Sequence, residues 1–322
     1  MHGWGIRPYD WQTGVTIQQE VAPRVSVEVS YNRRWWGNHF FTDNRAIGPE
    51  DFDTATFKAP ANANLPNGGG NDVTFVTRNT RSALGATDNY YTFADDFGES
   101  TTYWHGVDFS LNARTRNGIT FQGGTSTGRG VRDYCAITAK LPELYVTTGA
   151  VLLNQQVGAC AVTEPWLTSL RGSVSYTIPK VDVLLSASMR STPNVQPSTI
   201  NTFVATNGAS VSANYNVTSA VLQTSNLGRA LAPGLAFQTV DLTLPGEVYP
   251  DRVKGLDLRV AKVLRFSRYR ANVGFDFYNL FNANTGTAFN QVYDVASNGA
   301  SWLRPTTVLG PRFARFNVTV DF

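Results

Sequence analysis

Nine segments of this chain alternate apolar and polar residues with a period of two, and the connections between them alternate strictly between short and long. Period-two alternation places successive side chains on opposite faces of a strand. The segments fall at about 12–21, 24–36, 102–115, 118–131, 167–178, 181–191, 255–266, 269–281 and at the C-terminus. In the second, Val25, Val27, Val29 and Tyr31 alternate with Ser26, Glu28, Ser30 and Asn32; in the last, Phe316, Val318, Val320 and Phe322 alternate with Arg315, Asn317, Thr319 and Asp321. Helical periodicity is almost absent. The expected fold is all-β, an antiparallel meander of about nine strands forming one domain over residues 1–322.

The connections narrow this further. Four are short: Ala22-Pro23, Arg116-Asn117-Gly118, Pro179-Lys180 and a turn near Ser267-Arg268. Asn-Gly supplies the positive φ of a tight hairpin. The other four, about 37–101, 132–166, 192–254 and 282–311, are long and are expected to lack regular structure. Long structureless loops are uncommon in compact soluble domains. Here they gather at one end of the meander, as in transmembrane barrels, which have short turns on one side and long loops on the other. Runs of roughly 9–11 tilted residues cross a bilayer as strands. In that setting the apolar face points to lipid and the polar face lines a wet lumen. Trp11, Trp35, Trp36, Trp104 and Trp166 all map to the long-loop end, which predicts an aromatic girdle at a membrane interface.

Composition supports a polar but weakly ionic chain, with 16% charged residues against roughly 25% in average soluble domains. A net charge of +3 without a Lys/Arg run gives no reason to expect nucleic acid. No apolar run reaches 18 residues, so a transmembrane helix is not expected, and the N-terminal stretch lacks the basic and apolar regions of a signal peptide. The two cysteines, Cys135 and Cys160, share one loop and are expected to form a disulfide in an oxidising compartment.

Motifs suggestive of catalysis fail on context. Gly124-Thr125-Ser126-Thr127-Gly128 fits the spacing of a nucleophile elbow, but that motif needs a strand, a sharp turn and a helix, and none of His2, His39 or His105 follows Ser126. The same segment has Arg129 where a phosphate loop requires lysine. Three scattered histidines and two cysteines offer no zinc spacing, and the acidic residues of the first loop read as solvated rather than as a calcium site. No enzyme, metal or cofactor is expected.

The stretches PYDWQTGVTIQQEVAPRVSVEVSYNRRWWGN (8–38), RNGITFQGGTSTGR (116–129), LRGSVSYTIPKVDVLLSAS (170–188), DRVKGLDLRVAKVLRF (251–266), VGFDFYNLFNANT (273–285) and WLRPTTVLGPRFARFNVTVDF (302–322), in this order, resemble the C-terminal barrel portion of TonB-dependent outer-membrane receptors, in particular the type carrying a carboxypeptidase-regulatory-like domain. The resemblance implies a bacterial outer-membrane location and a barrel of about 22 strands around a plug. It implies ligand capture by extracellular loops and import driven through the TonB complex. The plug segment is missing from this sequence, so the chain is expected to be the C-terminal part of a longer receptor, reaching TonB only through the plug and leaving two open sheet edges. The final strand, with Phe316, Val318, Val320 and Phe322, is implied to be the signal read by the barrel-assembly machinery.

Candidate residues follow from these expectations. Asn38, His39, Asp43, Tyr90, Tyr91, Asp95, Asp96, Tyr134, Tyr293 and Trp302 are loop positions able to face a small-molecule, peptide or glycan ligand. Arg114, Arg116, Arg259 and Asp276 fall on polar strand faces and are expected to line the lumen or to pair across strands. The expected partners are outer-membrane lipid, the barrel-assembly machinery, the TonB complex through the missing plug and the ligand itself, with no nucleic acid. The competing expectation is a soluble secreted β-sandwich, adhesin or lectin-like, in which Val27, Phe275, Phe316 and Val318 pack into a dry core; a passive porin-like channel is a third.

Overall fold

A computed structural model describes residues 5–79, 85–146, 156–194, 210–266 and 269–321. Nine long strands form one sheet: β1 (Tyr9–Ala22), β2 (Val25–Gly37), β3 (Thr101–Arg114), β4 (Thr120–Asp133), β5 (Leu167–Ile178), β6 (Val183–Thr192), β7 (Val253–Phe266), β8 (Tyr269–Tyr278) and β9 (Phe313–Asp321). They pair in sequence order, every neighbour antiparallel. The chain is therefore an all-β meander, and β1 and β9 lie at opposite edges of the sheet. A short strand, Ala161–Thr163, adds to the loop end of β4.

The tight turns take the backbone conformations their residues permit. Gly118 adopts φ 87° in the β3–β4 hairpin, where Thr115 N–H donates to the Ile119 carbonyl at 2.8 Å. Arg24, between β1 and β2, and Lys180 and Asp182, between β5 and β6, carry positive φ without glycine's freedom. The Glu20 carboxylate accepts the Arg24 N–H at 2.8 Å and supports the first of these turns. The turn at Ser267-Arg268 lies outside the described residues, as does Phe322.

Directly opposed residues share a face, so the register sorts every wall side chain. One row across β5–β9 reads Tyr176, Leu185, Val260, Phe275, Phe316. The row on the other face, one position away, reads Ser175, Ser186, Arg259, Asp276, Arg315. The apolar face is uncovered: Ile17 is 70% exposed, Phe275 50%, Phe316 59% and Val318 53%. A sandwich would bury these side chains against a second sheet, and among the described residues none lies over them. The dry-core expectation for Phe275, Phe316 and Val318 is overturned on that ground.

The long connections are not structureless. The first carries two hairpins, Phe40–Asn44 with Asn89–Phe93 and Phe52–Lys58 with Asp72–Arg78. The third pairs Asn214–Thr218 with Phe237–Asp241, and Val292–Tyr293 of the fourth adds in parallel to the former. With the second connection they enclose most of the buried apolar residues, although Ala261 and Val263 are buried on β7 itself. One core gathers Phe57 and Phe75 of the first loop, Tyr215, Val217 and Leu222 of the third, and Tyr293 and Trp302 of the fourth. A second joins Phe41 and Val76 to Tyr134, Ile137 and Tyr145 of the second loop. The Cys135–Cys160 disulfide, with Cα atoms 4.8 Å apart, ties this second core together. The loops thus fold on each other as a cap over one end of the wall. Burial of apolar area drives this association, one core drawing on the first, third and fourth loops and the other on the first and second.

Candidate functional site: the polar wall and the folded cap

The polar face of the sheet forms a trough of about 470 Å³ running across β4–β9. Its floor is short and polar: Gln122, Ser173, Ser175, Ser186 and Ser188. Its β7–β9 side carries a charged cluster centred on Asp276, whose side chain is 8% exposed. Arg315 Nη2 donates to Asp276 Oδ2 at 2.9 Å, and Asn317 Nδ2 donates to the same oxygen at 2.9 Å. Arg259 Nε lies 3.7 Å from Asp276 Oδ1, while its Nη2 donates to Asn317 Oδ1 at 2.9 Å. One carboxylate thus serves two guanidinium groups from strands on both sides, and Asp257, which also lines the trough, balances the second of them. Arg259 and Asp276 stand on the polar face and pair across strands. Arg315 and Asn317 complete the cluster; their place in the last strand's alternation put them on the polar face, but only the register brings them opposite Asp276.

A second hollow of about 470 Å³ lies at the cap end of β1–β3. Asn32 Nδ2 donates to Asp108 Oδ2 at 2.8 Å, and Arg34 Nε to Asp10 Oδ2 at 2.6 Å. The Arg34 guanidinium also lies 4.8 Å from the Trp36 ring centroid. Near the short turns, Arg114 lines a polar groove with Gln18, Glu20 and Asn112. Arg116 is corrected: it sits in the β3–β4 turn beyond the last paired residue, so it belongs to no strand face.

The tryptophans divide between faces. Trp11 pairs with Trp35, and Trp35 with Tyr103, on the apolar side. Trp166 joins that side, 5.0 Å from the His105 ring and 5.1 Å from the Arg129 guanidinium. Trp36 and Trp104 are corrected: register places both on the polar face, where they border the second hollow. The Trp104 indole lies over Gly106 and Gly128, and a Cβ on Gly128 would approach its ring to 2.3 Å. The glycine-rich stretch of β4 is thereby explained in part as room for this indole. Ser126 lies within β4, paired with Asp108 and Ser169, and not at an exposed elbow.

Of the loop candidates, Tyr90, Tyr91, Asp95 and Asp96 are exposed on the cap. Tyr91 stacks on Phe40 at 5.1 Å, and Arg45 lies 4.8 Å from the Tyr90 ring. Asp43 is half-buried opposite Tyr90. The Thr92 hydroxyl donates to Asp96. Asn38 takes φ 54° and donates to the carbonyls of Gly5 and Arg7, so its side chain fixes the chain entering β1. Four candidates are corrected as ligand-facing because they are buried. Tyr134 and Tyr293 are each 1% exposed and Trp302 2%. The Tyr134 and Thr102 hydroxyls hydrogen-bond at 2.7 Å, and Trp302 Nε1 donates to the Ser212 carbonyl at 2.8 Å. His39 is buried edge-on to Tyr134 at 5.7 Å, and burial lowers its pKa against the opposing pull of Asp95.

Buried and half-buried polar groups missed in the sequence hold the cap. Asp241 accepts Ala213 N–H at 2.6 Å and the N–H and hydroxyl of Thr243 at 3.0 and 2.9 Å. Arg229 Nη2 pairs with Asp53 at 2.6 Å and donates to the Arg78 carbonyl at 3.0 Å, linking the third loop to the first. Glu164 Oε2 accepts Gly130 N–H at 3.1 Å, joining the second loop to β4. Each is one ordinary residue in a loop, and no local pattern marks it. Among the described residues no group of His, Cys, Asp and Glu could hold a metal ion.

No protein-family model and no curated protein matches the sequence. Among solved structures, the chain is similar to the outer membrane transporter YddB from Escherichia coli, with a TM-score of 0.45 and 11% identity over 98% of this chain. The match covers 33% of that transporter, so this chain spans about a third of its length.

Proposed function

We propose that the chain is a membrane-spanning wall and extracellular cap of an outer-membrane receptor or transporter, acting by binding without catalysis. The observation that carries this reading is the bare apolar face. Monomeric soluble proteins rarely expose contiguous apolar patches beyond a few hundred Å². Here apolar side chains from eight of the nine strands, all but β4, stand uncovered, while the clustered apolar cores lie in the loops. A sheet with lipid on one side and a polar lumen on the other accounts for both. Wall strands of 9 to 14 residues match a tilted crossing of a bilayer. The sheet edges at β1 and β9 would pair with further strands to close a barrel.

On this reading the cap captures a small-molecule, peptide or glycan ligand through its exposed aromatic and acidic residues, Tyr90, Tyr91, Asp95 and Asp96 among them. The serine-floored trough then passes it along the wall. Import would be driven by the TonB complex acting on a plug, and the last strand would be read by the barrel-assembly machinery. Expression of the chain followed by detergent partitioning tests the central point. Recovery in the detergent phase is expected, and a stable monomer in detergent-free buffer would refute it.

A further inference from the structure

The outer face carries one charged row that the transport reading leaves unused. Thr13, Arg33, His105 and Arg129 lie in register across β1–β4, with Trp166 next to Arg129. They stand on the apolar side of the sheet, at its cap end. Arg129 Nε donates to His105 Nε2 at 3.2 Å, so the imidazole accepts there and is neutral. Arg33 lies 5.1 Å from the Tyr103 ring centroid and 5.9 Å from that of Trp35; Arg129 lies 5.1 Å from that of Trp166. Two guanidinium groups are thus held against aromatic faces two strands apart, about 10 Å by ordinary strand spacing. The rows on either side, from Trp11 to Val131 and from Val15 to Thr168, contain no Asp or Glu. Neither arginine forms an ion pair among the described residues.

Arginine on a lipid-facing surface is tolerated near the interface and is costly deeper in the bilayer. Stacking on aromatic rings orients the fork but supplies no negative charge. A guanidinium fork matches phosphate oxygens bidentately. Directly below the row, Tyr31, Val107, Val29 and Phe109 offer apolar surface to an acyl chain. Resting on the membrane reading above, we propose that Arg33 and Arg129 form a docking site for a lipid whose phosphate headgroup carries net negative charge, with no amine to neutralise it, in the leaflet on the cap side. The arginines clasp the phosphate, His105 spaces them, and the acyl chains lie along the apolar strands beneath.

The test uses the full chain folded in detergent micelles and exposed to mixed phosphatidylcholine and phosphatidic acid, with retained lipid counted by native mass spectrometry. Phosphatidic acid is expected to be retained preferentially. Retention should fall about tenfold for each arginine removed in Arg33→Gln and Arg129→Gln, as for loss of a charge-assisted hydrogen bond. The double Lys variant, which keeps charge but loses the fork, should retain an intermediate amount, and Arg171→Gln on the polar face should change nothing. Equal retention of both lipids, or retention unchanged in the double Gln variant, overturns the proposal while leaving the membrane reading intact. Full displacement by inorganic phosphate also overturns it, because the site would then recognise a free anion. A wild-type chain that never enters micelles overturns both readings at once. Circular dichroism of each variant separates lost binding from lost folding.

Discussion

The most decisive substitution is Phe316→Lys. Phe316 lies near the middle of β9, opposite Phe275 with ring centroids 5.3 Å apart, and is 59% exposed on the apolar face. If that face meets lipid, a lysine there costs about 2–4 kcal/mol at the bilayer midplane. Losing the aromatic pair adds about 0.5–1.5 kcal/mol. The expected total is about 2.5–5.5 kcal/mol by adding these two ranges. If the same face met water, an exposed Phe→Lys change would stay within about 0.5 kcal/mol, apart from the lost pair. The matched control is Ser175→Lys, on the opposite face of the sheet from Phe316 and facing the polar trough, with an expected change within about 0.5 kcal/mol. Urea unfolding of the chain reconstituted in liposomes, followed by tryptophan fluorescence, measures both. A Phe316→Lys variant as stable as Ser175→Lys would refute the assignment of that face to lipid.

Three further outcomes concern the cap. Trp302→Ala should loosen it by about 3–5 kcal/mol through the cavity left by a buried ring, read as faster hydrogen exchange across Asn214–Thr218 with the wall strands unchanged. Reducing the Cys135–Cys160 disulfide, which spans 25 residues, should cost about 3.5 kcal/mol by loop entropy, read as early proteolysis within residues 134–163. Burial raises the pKa of Asp241, Glu143 and Glu164 above the ordinary carboxylate range. Their contribution to cap stability is therefore full below about pH 4 and is lost as pH rises through the raised values. His39 acts oppositely, because its lowered pKa makes stability present above its ordinary value and lost as pH falls through the depressed one. Exchange protection of the cap should accordingly decline toward alkaline pH in the wild type, and Asp241→Asn should flatten that decline; an unchanged slope would contradict the burial argument.

Sequence alone determined the wall. All nine strands appear in the expected order, because alternation is a property of neighbouring residues and strand geometry turns it directly into two faces. The three short turns within the described residues were equally legible, and Asn117-Gly118 carries its own conformational preference. Tertiary structure decided what lies between. Phe57 stacks on Tyr215 at 5.5 Å although they are far apart in the chain, and Arg229 reaches Asp53 across a similar separation. Such contacts have no local signature, so loops that read as structureless are folded, and Tyr134, Tyr293 and Trp302 serve as core rather than as a ligand surface. Alternation within β2 already sends the consecutive Trp35 and Trp36 to opposite faces. The pairing of β2 with β3 decided what they meet there, setting Trp35 opposite Tyr103 and bringing Trp104 beside Trp36 at the polar hollow. A periodic pattern fixes faces relative to a strand's own neighbours, whereas burial depends on surfaces brought together from distant segments.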